Sequence, residues 1–192
     1  MTTLPKGYKA MDRIELLKDE KLMTRLGVLS LVVAAVAVVI GLFIAPFRVI
    51  LTFGSLPLLT TPLILLLVYV LFILIHELIH GVTMKMYCDA KVSYGFRLTY
   101  AYAASEGYFT KRQHMTIGLA PVVIIGVFLL LLAIILPMGW FWNIHVLQVF
   151  NLSSAVGDFY MAYKLRKEPE DMLIQDDGPA MTIFHRVETE PN

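Results

Sequence analysis

Apolar residues come in four long blocks separated by polar segments. The blocks run from about Leu26 to Phe43, Pro62 to Met86, Thr116 to Leu136 and Trp140 to Tyr163. About 20 apolar residues suffice for one helix to cross a bilayer, so each block predicts a membrane span. Gly41 and Pro46 end the first, Pro137 stops the third, and Trp140 and Trp142 mark an interface at the start of the fourth. The polar segments give a cytoplasmic N-terminal piece (1–25), a four-helix membrane domain (26–163) with a cytoplasmic loop (85–115), and a cytoplasmic tail (164–192). The predicted fold is an all-α integral membrane protein of about four transmembrane helices, with a small cytoplasmic β-hairpin between the second and third.

The hairpin comes from a change of period. In KVSYGFRLTYAYA, from Lys91 to Ala103, Val92, Tyr94, Phe96, Leu98, Tyr100 and Tyr102 take every second position. Period two predicts a strand with one apolar-aromatic face. A turn near Ser105-Glu106-Gly107 then returns the chain through Tyr108 and Phe109. The strand either rests on the membrane surface or holds substrate through Tyr94, Phe96, Leu98 and Tyr100. In the tail, Asp177-Gly178 separates two strand-like runs, which read as a second small cytoplasmic hairpin, with simple disorder a nearly equal reading. Pro179 limits pairing beside that turn.

Composition agrees with the membrane reading. Of 192 residues, 58% are hydrophobic and only 16% charged, against about 25% charged in an ordinary soluble domain. The net charge of +1, without basic runs, gives no sign of a nucleic-acid partner. Cys88 is the single cysteine, so no intrachain disulfide exists. The first apolar block is too long for a secretory signal core and reads as a retained anchor. Lysine and arginine crowd the N-terminal piece, the second loop and the start of the tail. The first loop has only Arg48, and the Pro137-Met138-Gly139 turn has none. This bias predicts a multi-pass cell-membrane protein with both termini cytoplasmic.

The second block holds LFILIHELIH, residues 71–80. Ionisable groups in hydrocarbon are costly and mark function. His76 and His80 are four residues apart, so a helix places them about 40° apart on one face, one turn of rise between them. Two imidazoles so placed can share a zinc ion, and Glu77 beside them can take a proton from a metal-held water. Catalytic zinc takes three protein ligands and keeps one position open. Asp158 is the sole carboxylate well inside another span, on a polar stripe with Asn151 and Ser154. It lies six residues before Lys164, as His80 lies five before Lys85, so both sit roughly 7 to 9 Å inside the same boundary. The other reading of Asp158 is a polar helix contact or an ion pair with Lys164 or Arg112. His114 is near enough to approach the site; His145, His185 and Glu106 are weaker candidates.

The HExxH in one span and NLSSAVGD in a later one resemble the small zincin-type membrane metallopeptidases formerly grouped as a domain of unknown function, related to the site-2 protease type. The likeness runs from about residue 60 to the IQDDGPAMTIF stretch of the tail. It implies zinc held by His76, His80 and Asp158, Glu77 as catalytic base, and Asn151 as the polar residue preceding the aspartate. The order Gly157-Asp158 departs from the Asp-Gly pair of site-2 proteases. The expected activity is hydrolysis of peptide bonds in membrane-associated proteins or peptides, within a chain embedded in lipid and able to pair with a second copy. Two rivals stand beside it: a zinc-binding scaffold or regulator without enzymatic activity, with His114 as a fourth ligand, and a metal transporter. The transporter ranks last because the ionisable residues stop in the cytoplasmic half.

Overall fold

The computed structural model describes every residue except 16–17, 47–59, 98–99, 179 and 188–192. In chain order the elements are β1 (Tyr8–Ile14), α1 (Glu20–Ile44), α2 (Thr60–Tyr87), β2 (Val92–Arg97), β3 (Tyr100–Thr110) and α3 (Lys111–Ile135), then α4 (Phe141–Ser154), α5 (Val156–Leu165), β4 (Leu173–Asp176) and β5 (Met181–Arg186). A short 3-10 turn, Met138–Trp140, precedes α4.

The all-α expectation is wrong. The five strands form one antiparallel sheet in the order β1-β5-β4-β3-β2. Three of these strands come from the polar ends of the chain. β1 lies in the charged N-terminal piece and has no clean alternation, because it is an edge strand with a bulge between Ala10 and Asp12. Only its last residue, Ile14, is buried. Its partner β5 lies more than 160 residues away, a pairing that no local pattern reports. β4 and β5 form the tail hairpin, with Gly178 at φ +83° in the turn.

The period-two run is also a hairpin rather than one strand. β2 pairs with β3 from Val92↔Ser105 to Arg97↔Tyr100, so the chain reverses between Arg97 and Tyr100 and not at Ser105–Gly107. Both arms keep the alternation, which hid the reversal. Residues 105–108 instead hold a register shift against β4.

Three helices are long and apolar enough to cross a membrane: Glu20–Ile44, Leu66–Tyr87 and Lys111–Ile135. The fourth expected span is two shorter helices, α4 and α5, interrupted at Ala155. The ideal-helix stripe joining Asn151, Ser154 and Asp158 is therefore broken.

The chain divides into two compact units. The first comprises 1–24, 77–120 and 158–192; the second comprises 25–76 and 121–157. The first carries the sheet. Ile14, Met161, Leu165, Met172, Ile174, Met181 and Ile183 form a buried cluster that seats α5 on β1, β4 and β5. Leu165, Met172 and Ile174 are completely buried, each worth about 1.5–3 kcal/mol of transfer free energy. A second cluster of Met84, Cys88, Ala90, Ala103, Phe109 and Ile117 ties the end of α2 and the start of α3 to β2 and β3. The sheet thus brings together the C-terminal turns of α2, the N-terminal turns of α3, and α5.

In the second unit, polar contacts link otherwise apolar helices. Ser30 Oγ donates to Ser153 O at 2.6 Å, and His145 Nε2 meets Ala37 O at 2.8 Å. Gly41 leaves room for the His145 ring. Trp142 Nε1 donates to Pro46 O at 3.2 Å, and Asn151 Nδ2 to Val122 O at 3.0 Å. Away from these contacts α1 exposes Leu31, Val36, Val39 and Phe43, a surface suited to lipid.

Candidate metal centre

His76 and His80 stand one turn apart on α2. The boundary between the two units falls after His76, but the helix runs through it unbroken, so helical geometry fixes His76 relative to His80. Both imidazoles are buried. Leu78, Val82 and Met86, on the opposite face of the helix, are exposed. The histidine face is therefore turned into the protein and the far face outward.

Asp158 occupies the first turn of α5, where the helix dipole favours a carboxylate. Its Oδ1 lies 3.7 Å from His80 Nε2. That is long for a hydrogen bond. Two ligands about 2 Å from one ion stand about 3.4 Å apart at the tetrahedral angle, close to the observed gap. One donor atom from each of His76, His80 and Asp158 falls within 4.8 Å of the others. Among the described residues this is the one such group of His, Cys, Asp or Glu. Two imidazoles and one carboxylate suit zinc and leave a coordination position for water.

His80 is oriented from behind. Its Nδ1 lies 2.9 Å from the carbonyl oxygen of Ile117 on α3. A carbonyl only accepts, so Nδ1 carries a proton, and Nε2, which faces Asp158, is the nitrogen available to a metal ion. Sequence reasoning missed Ile117, because a backbone acceptor leaves no mark in residue type. Glu77, half-buried, follows His76 on the helix.

The other candidates have other work. His114 is buried and turns Nε2 to Asp176 Oδ2 at 3.2 Å; it is not part of the metal group. His185 pairs with Glu168 at 3.4 Å, and His145 joins α4 to α1. Glu106 is exposed on β3. Asn151 is fully buried against α3, and Ser154 is exposed, its hydroxyl 3.5 Å from the carbonyl of Asn151. Of the proposed substrate residues, Tyr94 and Phe96 are exposed on β2 and Tyr100 opens β3; Leu98 lies outside the described residues.

Residues 69–173 match the model of a family described as "Putative zincin peptidase". This chain belongs to that family. The matched region holds His76, Glu77, His80 and Asp158, the hairpin β2–β3 and all of α3, while β1 and β5 lie outside it. Membership in a zincin family implies zinc, and the donor set found here fits that ion. No curated protein and no solved structure matches the chain.

Proposed function

We propose that this zincin is a zinc-dependent peptidase that hydrolyses peptide bonds of membrane-associated substrates. The observation that carries this reading is the convergence of His76, His80 and Asp158, with Glu77 next to a ligand on the same helix. Zinc bound there supplies a Lewis acid and lowers the pKa of a water toward neutrality. The two histidines and Asp158 hold the ion, and the Ile117 carbonyl keeps His80 in the ligating tautomer. Glu77 accepts the proton of the attacking water and returns it to the leaving amine. Burial of both imidazoles limits bulk water around the reaction. His114, the fourth ligand that a closed structural site would need, is committed to Asp176.

Substrate enters this reading through β2, one edge of the sheet. Val92 packs against the cluster containing Met84 and Cys88, and the Tyr94 ring lies over Gly81. These contacts support a reading in which substrate reaches the HExxH turn along the β2 edge. An unwound substrate segment added to that edge exchanges its unpaired peptide groups for hydrogen bonds and presents a bare carbonyl to the site.

The test of the chemistry is Glu77→Gln in purified protein with metal content measured alongside cleavage. The variant should keep about one zinc per chain and lose hydrolysis. Cleavage at the parental rate removes Glu77 as base. For the edge, Ser93→Pro and Tyr94→Pro probe the two parities of β2, one of which points its N–H outward. The outward one should lose cleavage with the sheet intact, and parental cleavage by both would discard strand addition.

A further inference from the structure

Pro121 lies inside α3, an uninterrupted helix from Lys111 to Ile135, and is fully buried. A proline there removes the N–H that would bond the carbonyl four residues earlier. That carbonyl belongs to Ile117. It is the same oxygen that lies 2.9 Å from His80 Nδ1. An orphaned carbonyl in an apolar interior must find another donor. A metal-binding histidine needs a fixed acceptor behind it. Each demand answers the other at this position.

We propose that Pro121 is a positioning residue for the metal centre: by withholding its N–H it reserves the Ile117 carbonyl for His80 and so sets the tautomer and ring orientation of that ligand. The inference rests on the reading of His80 as a zinc ligand, but its tautomeric part does not need zinc. A non-proline at 121 donates its own N–H to Ile117 O and competes with the imidazole. Proline is tolerated in apolar spans when another donor takes up the freed carbonyl, and here that donor is the His80 ring.

The experiment uses the full-length protein in lipid nanodiscs, parent against Pro121→Ala. Restoring the helical hydrogen bond should raise the thermal midpoint of the metal-free protein by about 2–4 °C. Zinc affinity, read by chelator competition, should fall about tenfold or more. The cobalt-substituted protein should show a shifted absorption band. Gain in stability with loss of affinity is the signature; a merely structural proline leaves zinc affinity and the cobalt band at parental values, and that result overturns the proposal. A second measurement stands if the variant does not fold. Nitrogen-15 NMR of histidine-labelled, metal-free parent should show His80 protonated at Nδ1, and an Nδ1 without a proton overturns the proposal directly. A parent that binds no zinc yet shows the Nδ1 tautomer sinks the peptidase reading and leaves the Pro121–Ile117–His80 relay standing.

Discussion

Gly81 has no side chain, and the Tyr94 ring lies where one would be. The glycine follows His80 directly, so it lets the Tyr94 side chain lie against the turn that carries the candidate metal ligands. Gly81→Ala should swing the exposed hydroxyl end of Tyr94 aside at little cost, offset by the better helix propensity of alanine, so stability should change by less than about 1 kcal/mol in thermal or denaturant unfolding in detergent. Residue-level chemistry was the most legible part of the sequence. His76, Glu77 and His80 announce themselves by type and spacing, and Asp158 by being a carboxylate in an apolar block. Their partners were not legible. Ile117 contributes a backbone oxygen, and His114 has a carboxylate partner, Asp176, 62 residues away.

Among the elements, α3 does the most to frame the site. Thr110 and Gln113 form a reciprocal cap at its start: Thr110 N donates to Gln113 Oε1 at 3.0 Å, and Gln113 N to Thr110 Oγ1 at 3.3 Å. Lys111, buried at the same end, donates to the carbonyls of Arg166 and Glu168 at 3.0 and 2.7 Å and pairs with Glu170 at 3.1 Å. A cation at a helix N-terminus opposes the dipole, but here it secures the chain leaving α5, the helix that carries Asp158. Two turns of α3 therefore hold His80 through Ile117 and the far end of α5 through Lys111. Thr110→Ala should cost about 0.5–2 kcal/mol, read from thermal unfolding of the metal-free protein. The helices were legible because 20-residue apolar blocks have few other uses. The hairpin was legible as a change of period, but its reversal was not, since residues on both arms continue the alternation. The break at Ala155 was hidden for a similar reason: it interrupts hydrogen bonding without interrupting hydrophobicity.

Over the whole molecule, charge is divided unevenly. Every Asp and Glu belongs to the sheet-bearing unit; the other unit contains only Arg25 and Arg48 as charged residues. Acid should therefore act on the sheet unit. The Lys111 ammonium, with help from Arg112, holds the Glu170 carboxyl below its ordinary range, and Lys18 does the same for Glu15. A depressed carboxylate contributes stability above its unfolded pKa and loses it as pH falls through the folded value. The metal-free protein should melt at progressively lower temperature as pH drops below about 4, and Glu170→Gln should flatten a small part of that slope. An unchanged slope would show that these exposed pairs are fully screened. The architecture as a whole was the least legible level. Its sheet depends on β1 meeting β5 and β3 meeting β4, contacts between distant parts of the chain that leave no local period.

The placement of β1 beside β5 has a consequence for biosynthesis. The first strand to leave the ribosome must wait for the last one before it acquires its neighbour. Until then its backbone stays hydrated and the platform beneath α5 lacks two of its strands. Such contacts between distant parts of the chain form slowly. The platform beneath α5 is therefore completed only once β5 has been made and β1 has paired with it.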